Sequence, residues 1–212
     1  MESIVLIGGG GHCISSIDVL RLENKFEIAG ILDTSEKVGT EIMGIKVIGT
    51  DDDIPWLAVK HKNFLITIGQ IRSSEKRVKV FSLIKKSGGR LPVIISPRAY
   101  VIASAVIDEG TILMHGSLIN AKAQIGKNCI INTGALIEHE ASVGDFCHIS
   151  THAVVNGQVL IGKNSFIGSN SVIANNLILP EGIILAAGAC MLKSPLKSGI
   201  YIGNPARLKV KS

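Results

Sequence analysis

The sequence predicts two domains of different class: a small α/β domain, then an all-β coil of short parallel strands. Three observations predict it. From Val101 to Met191 every sixth residue is aliphatic or Met, without a slip. The chain opens on an apolar run, four glycines and a helix-like stretch. Hydrophobic residues make up 46% of the chain but aromatics only 4%, which suits thin, regular layers of Ile, Val, Leu and Ala.

The first domain reads element by element. Residues 3–7 are a β-rich apolar run, residues 8–11 are glycines, and residues 12–22 read as a helix. Strand, Gly-rich turn and helix form a phosphate-cradling shape, because glycines admit close backbone approach and a helix N-terminus favours anions. The full GxGxxG fingerprint is absent, since Cys13 holds its last position. A second strand at 26–32 ends at Asp33, an acid placed to hold a ribose hydroxyl. The acids Asp51, Asp52 and Asp53 open a second helix, expected at 52–61. A strand at 64–68 ends at Gly69. A helix at 74–87 and a strand at 91–95 complete a Rossmann-like βαβαβαβ sheet, stopped by Pro97. The domains are therefore 1–96 and 97–212, the second ending in a short C-terminal tail.

The second domain follows from its period. The position two before each aliphatic is usually small, as at Ala99, Ala105, Ala123, Cys129, Ala135, Ala141, Cys147 and Ala153. The position after it is often Gly or Asn, as at Asn120, Gly126, Asn132, Gly144, Asn156 and Gly162, residues that tolerate a positive φ at a corner. Side chains alternate along a strand, so the small residue and the aliphatic face inward and the residue between them faces out. Three six-residue rungs close one coil. Cys129 and Cys147 are then one coil apart, both inward, and read as core rather than as reactive thiols. Outward apolar residues, Leu118, Ile130, Leu136, Val154, Leu160, Phe166 and Val172, would be exposed on a monomer and point to an interface.

Composition narrows the function. The net charge of +5 is scattered, with no dense basic block, so no nucleic-acid partner is expected. Small anionic ligands suit it. No run is long enough to insert in a membrane, and residues 1–11 lack a cationic signal-peptide start. The four cysteines show no CxxC spacing, and a cytoplasmic location is the simplest expectation. His115, His139, His148 and His152 include no pair 18 or 36 residues apart, so no zinc site is expected.

Seven segments together resemble one family: GGGGH at 8–12, Leu32-Asp33, Ile68-Gly69, NTGALIEHE at 132–140, VGDFCHIS at 143–150, IGKNSFIG at 161–168 and GNPAR at 203–207. They are similar to bacterial nucleotide-sugar acetyltransferases of the PglD/NeuD type. The resemblance implies a left-handed parallel β-helix, acetyl-CoA as co-substrate, a homotrimer with sites between subunits, and a nucleotide-linked amino sugar of the 4-amino-4,6-dideoxy type as acceptor, used for surface glycans. It makes His139 the general base and Glu140 its partner. Histidine suits that role, and a carboxylate can fix its tautomer. It places Asn132, Glu138, His148 and Gly157 at the acetyl-CoA and acceptor site, with the Gly157 backbone against the thioester. Gly8, Gly10, Gly11, His12, Asp33 and Gly69 would hold the nucleotide sugar. Cys147 and His148 face opposite ways on one strand, which disfavours an acyl-cysteine route. O-acetylation of a sialic-acid-type sugar and a non-catalytic nucleotide-sugar scaffold are the alternatives.

Overall fold

The computed structural model describes residues 1–209, and residues 210–212 of the expected tail lie outside the described residues. The chain forms two compact units. One comprises Met1–Gly69 and Glu75–Ile94; the other comprises Gln70–Ser74 and the chain from Ile95 onward.

The first unit contains β1 (Glu2–Ile7), α1 (Gly11–Glu23), β2 (Phe26–Leu32), β3 (Glu41–Ile42), β4 (Ile45–Gly49), α2 (Ile54–Lys60), β5 (Asn63–Ile66) and α3 (Glu75–Lys86). Its sheet runs β3-β4-β2-β1-β5, parallel except for β3. The strands nearest the centre are apolar on both faces; residues 4–7 are all buried, as a sheet covered by helices requires.

Two expectations are corrected here. The hairpin β3–β4 lies outside the expected elements. Its two-residue turn has Met43 at φ 50° and Gly44 at φ 77°, the left-handed pair that matches strand twist, but without the Asn-Gly or Asp-Gly signal. The strand expected at 91–95 does not join this sheet. Only an isolated bridge between Asn63 and Arg90 forms, and Pro92 removes a ladder donor just beyond it.

The second unit is a three-sided, left-handed parallel β-helix. Two-residue strands repeat every six residues and pair with those 18 residues on: Ile130 with His148, Leu136 with Val154, Ser142 with Leu160. The face carrying Ile112, Ile130, His148 and Phe166 is called the first. The second carries Leu118, Leu136, Val154 and Val172, and the third carries Gln124, Ser142 and Leu160. Inward Ile119, Ile131, Ile137, Ile149, Val155 and Ile167 are fully buried. Each such burial contributes about 1.5–3 kcal/mol. Small polar residues also fit inside by donating to corner carbonyls, as Ser171 Oγ does to Gly168 O at 2.6 Å and Ser117 Oγ to Met114 O at 2.8 Å. Cys129 and Cys147 are fully buried, and burial, then the neighbouring Cys129, pushes the Cys147 thiol well above its ordinary value.

The corners differ from expectation. The left-handed conformation falls on every sixth residue from Gly110 to Gly188, including Lys122, Glu140 and Gln158, two positions later than the Gly/Asn set. Glycines in that earlier set serve close approach instead: a Cβ on Gly144 would sit 2.6 Å from Lys163 N in the next coil.

Outward does not mean exposed on the first face. Ile130 is 0% exposed within the single chain, so it leaves the set of apolar residues that a monomer would present. On the second face Leu118, Leu136 and Val154 are partly exposed and Val172 is 36% exposed. The segment Gln70–Ser74, expected within the first domain, is pinned to the coil. Ser74 Oγ donates to Asn164 Oδ1 at 2.7 Å, and Gln70 Nε2 donates to Ser165 O at 3.4 Å.

Candidate active site

Glu138, His139 and Glu140 occupy the corner between the second and third faces, directly after the Leu136–Ile137 strand. Stacking sets their neighbours, because residues 18 apart lie one coil above or below. Glu138 Oε2 accepts from Asn120 Nδ2 at 2.9 Å and from His139 N at 3.2 Å. Glu140 Oε2 accepts from Gln158 Nε2 at 3.0 Å and lies 3.6 Å from His139 Nδ1. Lys122 Nζ is 3.7 Å from Glu140 Oε1. The Gln158 hydrogen bond, then the Lys122 charge, hold the Glu140 carboxyl below its ordinary value, so it faces His139 as a carboxylate.

The imidazole lies over Gly157. A Cβ there would meet His139 Nε2 and Cε1 at 2.6 Å. At equivalent corners the second N–H is capped by the preceding side chain: Asn120 Oδ1 takes Ala121 N, and Asn132 Oδ1 takes Thr133 N. Asn156 breaks this habit and turns its Nδ2 to Ile173 O at 2.7 Å. Gly157 N is left without a partner among the described residues. A half-exposed imidazole, a carboxylate behind it and a bare amide beneath it suit proton abstraction beside a developing oxyanion.

This contact makes a prediction. Gly157 is not in the left-handed region, so Ala fits its backbone, and only the ring must move. Gly157→Ala should displace the His139 ring and, where that ring acts as a base, lower kcat by roughly 10²-fold, with little change in melting temperature. Wild-type kcat in that variant would separate the ring's position from catalysis.

Asn132 and His148 are not with this group. Asn132 begins the corner between the first and second faces, and His148 lies on the first face beside that corner. Asn132 Nδ2 is 3.2 Å from His148 Nε2, and His148 Nδ1 is 2.8 Å from Gln70 O. The full width of the second face separates them from His139. One chain therefore does not assemble all six expected residues into one site.

In the first unit, Gly8, Gly10, Gly11, His12, Asp33 and Gly69 do line one cavity, of about 310 Å³. Gly10 precedes the first turn of α1 with no side-chain cap. Gly8, at φ 100°, packs so closely that a Cβ would strike Ile68 Cγ1 at 2.6 Å. Asp33, expected to face a ribose hydroxyl, is also engaged by the chain itself. Its Oδ2 accepts Gly9 N at 2.6 Å and Lys37 Nζ at 3.0 Å, and its Oδ1 accepts Thr34 N at 2.7 Å. Burial pushes its pKa up, but the donors Thr34, Lys37 and Gly9 outweigh that and lower it. Asp33 thus braces the glycine turn, with one lone pair of its Oδ1 to spare for a ligand. Lys37 and Lys76 also line the cavity and supply cations that no sequence motif marks.

A larger cavity of about 600 Å³ sits at the C-terminal end of the coil, with Leu196, Tyr201 and Pro205 among its apolar walls and Lys193, Lys197 and Arg207 among its cations. Lys193 is 54 residues, or three coils, beyond His139. Among the described residues no group of three His, Cys, Asp or Glu side chains could hold a metal ion, and no helix is long and apolar enough to cross a membrane.

Comparison with known proteins finds relatives of both parts of the chain. The PglD N-terminal domain family matches residues 3–82, and the bacterial transferase hexapeptide family (six repeats) matches residues 140–175. PerB from Caulobacter crescentus, solved with CoA and GDP-perosamine, is 30% identical over 99% of this chain and 98% of its own, with a TM-score of 0.92. A histidine variant of perosamine N-acetyltransferase from the same organism, with the same ligands, has a TM-score of 0.93 at 29% identity, covering 100% and 98%. The acetyltransferase domain of PglB from Neisseria gonorrhoeae, in complex with acetyl coenzyme A, has a TM-score of 0.92 at 26% identity, covering 98% and 99%. With both halves matched in order and a 30% identical relative aligned end to end, the chain belongs to the PglD/NeuD-type nucleotide-sugar acetyltransferases, acetyl-CoA-dependent sugar-modifying enzymes built on the hexapeptide-repeat β-helix.

Proposed function

We propose that this protein N-acetylates the amine of a nucleotide-linked amino sugar, with His139 as general base. The observation that carries the reading is the His139 imidazole lying over Gly157, whose amide is uncapped, with the Glu140 carboxylate on its other side. Acetyl-CoA supplies an activated thioester. His139 Nε2 takes the proton lost by the attacking nitrogen as the N–C bond forms. Glu140, facing Nδ1, stabilises the resulting imidazolium. Gly157 N–H donates to the oxygen that becomes negative. As the C–S bond breaks, His139 returns the proton to the departing thiolate.

The C-terminal cavity suits the other end of the co-substrate. Its apolar walls fit an adenine ring and its three cations fit phosphates. Three coils at about 4.8 Å each put Lys193 roughly 14 Å along the same corner from His139, a span that a pantetheine arm can bridge. In the first unit, the glycine turn, the α1 N-terminus, Lys37 and Lys76 suit a nucleotide diphosphate.

The complete site belongs to a homotrimer in this reading. The second face joins the corner holding His139 to the corner holding Asn132. Three coils that turn this apolar face toward a common axis set the His139 corner of one copy beside the Asn132 and His148 corner of the next. Both co-substrates and the glycan-building use of such sugars suit a cytoplasmic enzyme of surface-glycan synthesis.

Thiol release from acetyl-CoA, followed with UDP-, dTDP- and GDP-linked 4-amino sugars and with a free sialic-acid-type sugar, tests the reading. Turnover is expected with a nucleotide-linked amino sugar and not with its 4-hydroxy analogue. Lys76→Ala should raise its KM by about 10–100-fold, as loss of one charge-assisted contact of about 1.5–3 kcal/mol implies, and leave the KM of acetyl-CoA unchanged. Turnover of only the sialic-type sugar would make the enzyme an O-acetyltransferase. Release with none of them would leave a scaffold.

A further inference from the structure

The polar chain at the corner between the first and second faces has one hydrogen-bonding solution. Thr133 N–H can only donate, so the Asn132 atom 2.8 Å away is Oδ1. The other Asn132 atom is then the amide Nδ2, also a donor only, and the His148 nitrogen 3.2 Å from it must be bare. At the opposite end the Gln70 carbonyl can only accept, so His148 Nδ1, 2.8 Å away, must carry the hydrogen. Both ends are backbone groups, and neither can be reversed.

The surroundings hold this arrangement in place. His148 is 8% exposed, and its ring meets Phe166 edge-on with centroids 5.2 Å apart. Gln70 is 3% exposed and Ser74 6% exposed, and both bond to the coil through Ser165 O and Asn164 Oδ1. A proton added at His148 Nε2 would set N–H against N–H. Asn132 cannot rotate to relieve that without giving up Thr133.

We propose that His148 is a positioning residue, held as the neutral Nδ1–H tautomer by the Gln70 carbonyl, which aims the Asn132 carboxamide so that its second N–H faces the acceptor sugar. His148 is then no proton carrier, and Gln70, far away in sequence, becomes part of the site's wiring. The ligand end of this statement rests on the function proposed above; the tautomer does not.

The full-length protein carrying 13C,15N-labelled histidine tests the tautomer by ring-nitrogen NMR, with the His148 signals identified by their loss in His148→Gln. Protonated Nδ1 and bare Nε2 at neutral pH are expected. An Nε2–H tautomer or an imidazolium overturns the proposal. Asn132→Asp sets a carboxylate oxygen against Nε2, and His148 should then gain a second proton; an unchanged ring also overturns it. Kinetics test the ligand end. In His148→Gln, Oε1 stands near the place of Nε2 and can still accept from Asn132, whereas His148→Asn cannot reach. The acceptor KM should be about 5–10-fold higher in the Asn variant than in the Gln variant, as one lost hydrogen bond implies. Equal KM values would remove the aiming role. If no acceptor is turned over at all, the proposed reaction fails while the NMR result stands.

Discussion

His139→Asn should lower kcat by about 10²–10⁴-fold, the usual effect of removing a positioned general base. The substitution is mild in every other respect. The side chain is half-exposed on a corner, outside the aliphatic core, and its backbone N–H still reaches Glu138 Oε2. Stability and acetyl-CoA affinity should therefore stay near wild type. Steady-state kinetics, calorimetry with acetyl-CoA and a thermal melt check the three parts together. An amine acceptor adds a signature, because it must be free of its ammonium proton to attack, so wild-type activity should rise with pH and then level. If His139→Asn keeps near wild-type kcat at saturating substrates, His139 is not the base. The hydrogen-bond pattern at His148 then offers no replacement, and the amine would be reacting unassisted.

Val154→Asp should separate the copies of the proposed trimer and with them the activity. Val154 faces outward on the second face, stacked between Leu136 and Val172. A carboxylate buried there without a partner opposes association by several kcal/mol. The inward residues Ala153 and Val155 are untouched, so each coil should stay folded. Sedimentation should show a species near the chain mass of 22.4 kDa. Turnover should fall at least about 10²-fold, since a separated chain would lose the partner groups that position its substrates. A folded, monomeric variant with full activity would show that the His139 corner works alone. The wild-type chain sedimenting as a monomer would remove the shared site altogether.

Stacking explains why some neighbours of His139 could be read from the sequence and others could not. The 18-residue coil already places Lys122 and Gln158 on either side of Glu140 once the rungs are numbered. Neither stands out in the sequence, because a Lys and a Gln at a corner look like solvated surface. The Gly/Asn positions carried a real signal with the wrong cause. Glycine is favoured both where φ is positive and where backbone crowds backbone, and composition alone does not separate the two. Gly144 belongs to the second kind, while Glu140 and Gln158 take the left-handed corner without being glycine.

By itself the sequence determined whatever depends on the order of side chains along the chain. The unbroken six-residue period requires alternate residues to face inward, and with three rungs to a coil it carries the faces, the corners and the core. The glycine run after β1 likewise marks the first unit's turn. Tertiary structure alone decided whatever depends on partners distant in sequence. Asp33 is drawn into bracing Gly9, 24 residues away, as well as lining a cavity. Ile130 points outward yet is wholly shielded. The Gln70 carbonyl, 78 residues from His148, sets which ring nitrogen holds the proton. A backbone carbonyl is the same atom in every residue, so its choice of partner leaves no mark in the sequence and is settled only when the folded chain brings the two together.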